Sequence, residues 1–372
     1  MPAASDPSTP PDRPRLTIAL AIFQLRSAGG LEQQCLAIAA ELSRRGHQVS
    51  LLTTTEAPAL PQGVRLQRLR RRGFSNHGRI AHFVADAALA ARGFDRSVVF
   101  HSAPGFDVIY CAATTRAGGP AWRRLLPRYR SLMAIEARAF APDARSRVLM
   151  LASAQLAAYQ MHHHTPAERC FVLPPSVDPA RLDPSVAPRA PRSGRGPVWL
   201  WVGLQPNTKG LDRAVAALAT ASDARLLVSG LGRDHPKARP ALRQARRLGV
   251  AERIDWLGFL DNDGLKAAMG RADLLLHPAR LDVTGNVILE ALINGLPVVV
   301  TAVCGFAEHV GRADAGVVLA EPFRQGDLDA ALAAATPETV ARWSASALGY
   351  CARTDFFSGV SRAADLIEEP PL

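Results

Sequence analysis

From Leu16 onward, short apolar runs alternate with longer amphipathic stretches. LTIALAIF (Leu16 to Phe23) reads as a buried strand, LEQQCLAIAAELSRRG as a helix closing at Gly46, and HQVSLLTTT as the next strand. SVVFHS, DVIYCAA and SRVLMLAS continue the strand series, with helical stretches such as RIAHFVADAALAARGF between them. Strands that are apolar at consecutive positions are covered on both faces, which is the mark of a parallel sheet flanked by helices. The stretch 183–197, DPSVAPRAPRSGRGP, breaks the pattern with Pro, Gly, Ser and Arg. A second series follows: PVWLWVG, DRAVAALATA, ARLLVSGLG, HPKARPALRQARRLG, RIDWLGFL, DGLKAAMGRA, DLLLHPA, GNVILEALING and LPVVVTA. The pattern predicts an α/β protein of two doubly wound Rossmann-like domains facing across a cleft, with ligand outside the carboxyl ends of the strands. The expected divisions are a disordered tail at 1–14, a first domain at 15–182 and a linker at 183–197. A second domain at 198–345 and a C-terminal helix at 346–372, crossing back to the first domain, complete the chain.

Composition narrows the class. A chain of 372 residues with 48% hydrophobic and 21% charged residues suits two soluble globular cores. No run approaches the ~18 apolar residues of a membrane span. The run at Leu16 follows Arg13 and Arg15 and so imitates a short signal peptide, but the glycine turn and amphipathic helix after it favour a strand. Five scattered cysteines, Cys35, Cys111, Cys170, Cys304 and Cys351, show no C-x-x-C spacing, which argues for a reducing compartment over a disulfide framework or zinc site. The net charge is +11, and Arg supplies 41 of the 44 basic residues. Arg65, Arg68, Arg70, Arg71 and Arg72 form one cluster; Arg123, Arg124, Arg128 and Arg130 form another. Such charge attracts nucleic acid, an anionic membrane or a phosphorylated substrate, and composition does not choose among them.

Three constellations carry candidate chemistry. Ala28-Gly29-Gly30 follows the first strand and opens a helix, where free amides and the positive dipole end suit a phosphate, although the pattern is not G-x-G-x-x-G. Lys209, one of only three lysines, sits in GLQPNTKG after the strand PVWLWV. An ammonium is electrostatically awkward beside a helix start unless it faces a diphosphate. Asp282 and Glu290 flank a glycine-containing loop and the start of the apolar helix VILEALI, where a charged side chain is either paired or functional. Other candidates are weaker. Asp261-Asn262-Asp263 spells D-x-D, but capping by Asp263 is the plainer reading. His162, His163 and His164 are adjacent on a helix and point in different directions.

Taken together, AGGLEQQ, SNHGR, PGFDV, PRYRSLMAIEARAF, VLPPSVDP, ADLLLHPA, VILEALINGLPVVVTAVCG and AGVVLAEPF resemble the retaining GT-B glycosyltransferases with an E-x7-E motif, and within them the lipopolysaccharide core glucosyltransferases. The resemblance runs over nearly the whole chain. It implies a nucleotide-sugar donor, with UDP-glucose the expected one, no cofactor and no metal. Gly29, Gly30 and Lys209 would face the diphosphate, and Val283, Thr284, Gly285, Asn286 and Val287 would cradle it and the sugar. Glu290 would hold the ribose, Asp282 the hexose hydroxyls, Phe259 the uracil, and Asp107 would lie on the acceptor side. It also implies a lipopolysaccharide core acceptor and a cytoplasmic, peripheral place on the inner face of the bacterial inner membrane. There Trp122, Arg123, Arg124, Arg128 and Arg130, interleaved with Leu125, Leu126 and Tyr129, would meet anionic lipid.

Two departures stand out. The family's first glutamate is Asp282, shorter by ~1.5 Å, and the arginine usual before the lysine is Thr208, with Arg213 or Arg280 as candidates to replace it. No nucleic-acid partner is expected, and a monomer is the default, although nothing sets the oligomeric state. The alternatives are a GT-B enzyme with another donor and lipid-linked acceptor, a catalytically weakened relative that serves as a binding protein, a basic nucleic-acid binder without a recognisable module, and a nicotinamide oxidoreductase without its fingerprint.

Overall fold

The computed structural model describes residues 14–25, 29–57, 59–119, 121–192, 194 and 196–372. The expected tail and Ala28 therefore fall almost wholly outside the described residues. Contacts divide the chain into two compact units, one of Met1–Met150, Leu156–Leu173 and Val360–Leu372, the other of Leu151–Gln155 and Pro174–Gly359.

The first unit is built from β1 (Thr17–Ala21), α1 (Gly30–Arg44), β2 (Gln48–Thr53), β3 (Arg65–Arg68), α2 (Asn76–Ala91), β4 (Arg96–Val99), β5 (Val108–Cys111), α3 (Pro127–Ala139), β6 (Arg147–Met150), α4 (Ser153–His163) and β7 (Cys170–Val172). Its strands pair in parallel in the order β3-β2-β1-β4-β5-β6-β7. Ala19, Ala21, Val99, Ile109 and Val148 pack with Phe83, Phe140 and Tyr159 in one core.

The second unit runs through β8 (Val198–Val202), α5 (Leu211–Thr220), β9 (Arg225–Ser229), α6 (Arg239–Arg247), β10 (Ile254–Gly258), α7 (Asn262–Arg271), β11 (Leu274–His277), α8 (Asn286–Ile293), β12 (Val298–Thr301), α9 (Ala307–Arg312), β13 (Gly316–Leu319), α10 (Gln325–Ala333) and α11 (Pro337–Cys351). The strands are again parallel, in the order β10-β9-β8-β11-β12-β13. Side chains alternate across a strand, so Trp199 and Trp201 of β8 enter one core while Leu200 enters the other. That is why VWLWV is apolar at every position. In both sheets the winding direction reverses beside the first strand, between β1 and β4 and between β8 and β11. Loops leaving the carboxyl ends of the two strands at such a reversal diverge and leave a crevice for ligand.

A last helix, α12 (Gly359–Glu368), ends the chain. Its carboxyl-terminal part belongs to the first unit, where Arg147 donates to Leu366 O at 2.8 Å and Arg96 to Glu369 O at 2.9 Å. Arg45 adds ion pairs to Asp365 at 2.7 Å and Glu368 at 3.1 Å.

Candidate active site

The loops that follow β8 and β11 are stitched together at the reversal of the second sheet. Arg280 N donates to Thr208 O at 2.8 Å, and Gly210 packs so tightly on the other loop that a Cβ there would lie 2.0 Å from Pro278 O. Gly210 caps α5 with φ +70° and Gly285 caps α8 with φ +81°, the left-handed region that glycine enters at least cost. Each loop therefore turns sharply into its helix. The first amides of α8 have no intrahelical acceptor and lie beside the positive end of its dipole, an arrangement suited to an anion.

Lys209 is held at its backbone, where its N–H donates to Gln205 O at 2.9 Å and the buried indole of Trp201 donates to its carbonyl at 2.9 Å. Its ammonium reaches across to Asp282 Oδ2 at 2.5 Å. Asp282 is fixed in turn by a bridge to Cys304, and Thr284 O accepts from Phe306 N at 2.8 Å. The same Oδ2 lies 2.7 Å from Nε2 of His277, the last residue of β11, whose side chain is 1% exposed. Burial alone would raise the pKa of Asp282, but the His277 hydrogen bond and the Lys209 ammonium outweigh it and hold it at about 2. Nδ1 of His277 is buried with no partner among the described residues. A proton there would be an orphaned donor costing roughly 1–3 kcal/mol, so the ring proton belongs on Nε2, facing the carboxylate.

Glu290 lies on the second turn of α8. Its side chain is only 16% exposed; Arg181 stands 3.9 Å away, and the like charge of Asp178 also acts on it. Burial lifts its pKa above the usual carboxylate range, with Arg181 offsetting only part of the rise. A buried carboxylate without a hydrogen-bond donor is incomplete by itself and suits a ligand that brings hydroxyls. Phe259, directly after β10, is 74% exposed, and Asn286 is exposed while Val283, Thr284 and Val287 are half-buried.

His277, Asp282 and Cys304 bring nitrogen, oxygen and sulfur within 4.8 Å of one another, the donor types of a soft divalent cation. The Lys209 ammonium already sits on that carboxylate, and burial with the Asp282 charge pushes the Cys304 thiol up to about 12. Both features disfavour a cation there.

Several expectations need revision. Asp107 precedes β5 and so stands at the amino edge of its sheet, away from the ligand-bearing edge. Its Oδ2 accepts from Ser97 N at 2.8 Å and Ser97 Oγ at 2.7 Å, which makes it a structural tie between β4 and β5 rather than a group for the acceptor. Neither candidate for the missing arginine is free. Arg280 forms two bonds to Asp212 at 2.7 and 2.6 Å, while Arg213 donates to Pro278 O and Ala279 O and lies 3.7 Å from the Phe323 ring centroid. The D-x-D helix is capped by Asp261, which accepts from Gly264 N at 2.8 Å; Asp263 pairs with Lys266 at 2.9 Å. At the first glycine turn, Gly29 caps α1 and the Glu32 carboxylate folds over it, so this flexible side chain must turn away before an anion reaches the amides.

In the first unit, sequence reasoning missed a buried hub. Glu136 of α3 is fully enclosed and accepts from Thr115 Oγ1 at 2.7 Å, Arg116 N at 2.8 Å and Arg116 Nη1 at 2.7 Å, with His163 Nε2 at 3.1 Å. Burial opposes its ionisation, but the His163, Thr115 and Arg116 bonds prevail and lower its pKa. The hub ties the loop after β5 to the segment that carries the second arginine cluster. In that segment Trp122, Leu125 and Leu126 are 61%, 80% and 47% exposed, and Arg123, Arg124, Arg128 and Arg130 are exposed beside them. Among the described residues, no helix is long and apolar enough to cross a membrane.

Two doubly wound parallel sheets, with cationic and acidic groups on the loops at the switch point of the second, define a GT-B glycosyltransferase. Residues 188–344 match the family described as Glycosyl transferases group 1, and residues 28–181 match Glycosyltransferase Family 4. The chain is 32% identical to the lipopolysaccharide glucosyltransferase WaaG of Escherichia coli (strain K12), over 95% of this chain and 98% of that protein. It belongs to that glycosyltransferase family. The crystal structure of WaaG superposes with a TM-score of 0.81 at 31% identity, covering 94% of this chain and 99% of that one. Sucrose-phosphate synthase from Thermosynechococcus elongatus shares the fold at a TM-score of 0.75 and 18% identity, over 95% of this chain and 98% of its own.

Proposed function

We propose that this enzyme transfers glucose from UDP-glucose, with retention of configuration, onto a heptose of the lipopolysaccharide core at the inner face of the inner membrane. The observation that carries this reading is the pairing of Lys209 with Asp282 across the loops leaving β8 and β11, with the buried carboxylate of Glu290 on the helix that the second loop opens. The kinship with WaaG, a lipopolysaccharide glucosyltransferase, supports the substrate pair. In this reading Lys209 leaves Asp282 for the diphosphate, where an ammonium neutralises the charge that grows on the leaving group. The amides from Val283 to Val287 hold the same phosphates, and Glu290 accepts from the two ribose hydroxyls. Asp282 accepts from the hexose, and the exposed ring of Phe259 stacks on the uracil. The diphosphate itself takes the acceptor proton, so the reaction needs no protein nucleophile and no metal.

The first unit receives the acceptor, and Trp122, Leu125 and Leu126, set among four arginines, suit the interface of an anionic bilayer. The test is a turnover and thermal-shift screen across UDP-, GDP- and ADP-hexoses, with and without lipopolysaccharide truncated at the heptose. UDP-glucose should give the largest stabilisation and acceptor-dependent release of UDP. Stabilisation by none of the nucleotide sugars would refute the proposal.

A further inference from the structure

One buried group at the site has no part in the reading above. His277 closes β11 beneath the donor loop, with Nε2 at 2.7 Å from Asp282 Oδ2 and Nδ1 unpartnered among the described residues. Lys209 contacts the same oxygen at 2.5 Å, so both anchors of the carboxylate converge on Oδ2. Oδ1 carries no hydrogen bond among the described residues, which leaves one oxygen pinned and the other available. Asp282 stands where the resembled family carries a longer glutamate, and a short side chain has less reach with which to find a ligand. Where it is fixed therefore matters more.

We propose that His277 is a positioning residue for the donor sugar. It donates from Nε2 to Oδ2, so that Oδ1 of Asp282 is presented to a hydroxyl of the hexose. This inference rests on the donor reading above and adds to it. When Lys209 turns to the diphosphate, Asp282 loses one of its two anchors, and His277 becomes the contact that keeps the carboxylate in place. The ring is fit for this because it is rigid, lies at the end of a strand buried on both faces and has no competing partner. Its effect falls on the hexose and not on the nucleotide, since Asp282 addresses only the sugar. Discrimination among hexoses therefore passes through a residue that never touches them.

The test compares the wild type with His277→Ala, His277→Asn and His277→Gln. Affinity for UDP and for UDP-glucose is measured by calorimetry, and kcat/KM is measured with UDP-glucose and UDP-galactose. Gln places its amide nitrogen near the position of Nε2, whereas Asn reaches only the position of Nδ1. All variants should bind UDP within about twofold of wild type, and His277→Ala should lose about 10- to 100-fold in kcat/KM for UDP-glucose, the range of one charge-assisted hydrogen bond. Its preference between the two hexoses should shrink. Gln should restore most of the loss and Asn little of it. Equal loss of UDP and UDP-glucose binding, an unchanged kcat/KM in His277→Ala, or a Gln variant no better than Ala would overturn the proposal. If the wild type uses no nucleotide hexose, the donor reading fails, and nitrogen NMR of the His277 ring decides the pin alone. A proton on Nε2 is expected, and a ring whose Nε2 is bare would refute it.

Discussion

Replacing Lys209 with alanine tests the diphosphate assignment most directly, because the structure separates the ammonium from everything else that holds its loop. The backbone of residue 209 is retained by Gln205 O and by the Trp201 indole, and Gly210 keeps its seat against Pro278, none of which needs the side chain. What disappears is a 2.5 Å contact with a carboxylate whose side chain is 10% exposed. The whole displacement of Asp282 from 3.8 to about 2 corresponds to roughly 2 kcal/mol. Lys209 supplies only part of this, since His277 remains, so the stability loss at neutral pH should stay near 1 kcal/mol, a fall of about 2–4 °C in Tm. The sign follows from the depressed pKa: Asp282 contributes its stabilisation above the ordinary aspartate range and loses it as the pH falls through about 2. In the variant that loss is smaller and is complete at a higher pH. Catalysis should suffer far more. A charge-assisted bond to the diphosphate is worth about 1.5–3 kcal/mol, which is about 10- to 150-fold in kcat/KM. Release of UDP with truncated lipopolysaccharide as acceptor measures this, with melting curves run in parallel. A variant that melts as expected but turns over within about threefold of wild type would show that Lys209 does not serve the diphosphate.

Four further outcomes follow from the geometry. Glu290→Gln should raise the donor KM about tenfold, the scale of one hydrogen bond to a charged group. Because burial lifts the pKa of Glu290 in the fold, the charged form costs stability at neutral pH. The same variant should therefore melt higher there, a gain that fades as the pH falls through the raised pKa and is gone below the ordinary glutamate range. Asp107→Asn should lower Tm through the weakened tie to Ser97, yet leave kcat/KM per folded molecule within about twofold; a large kinetic loss would return Asp107 to the acceptor site. Trp201→Phe removes the bond to the Lys209 carbonyl from a fully buried position, and should raise the donor KM together with a stability loss of about 1–3 kcal/mol. Neutralising Arg123, Arg124, Arg128 and Arg130 together should abolish sedimentation with anionic liposomes, and unchanged sedimentation would count against the lipid-facing role.

The sequence displayed the central strands and the loops after them because burial on both faces leaves an unbroken apolar run, as in VWLWV and LLLH. It displayed the edges poorly. β3 is Arg-Leu-Gln-Arg with every side chain exposed, and its hydrophobicity gives no hint of a strand. β7 and β13 are half-exposed and three or four residues long. At the site, residue type and spacing singled out Lys209, Asp282 and Glu290. His277 escaped notice because it ends an apolar run, where a lone histidine reads as core. The clue was its position as the last residue before the loop. Asp107 misled for the converse reason: its place in a motif suggested a role that its position at the amino edge of β5 does not serve. Chain position alone does not say which end of a sheet a residue occupies until the strand has been delimited.

The exposed strand β3 gives the first arginine cluster a meaning that needs no ligand. It lies at the border of the seven-stranded sheet, hydrogen-bonded to β2 on one side only, so its other side offers free backbone groups to any passing chain. Arg65 lies on that edge strand with Arg70 and Arg71 just beyond, while Arg68 pairs with Glu56 at 2.9 Å and Arg72 with Asp86, so a second copy docking there would bring the remaining like charges together. Charge at an open strand edge of this kind disfavours edge-to-edge pairing. Exchanging Arg65 and Arg68 for threonine and valine should leave turnover intact and shorten the shelf life of concentrated protein.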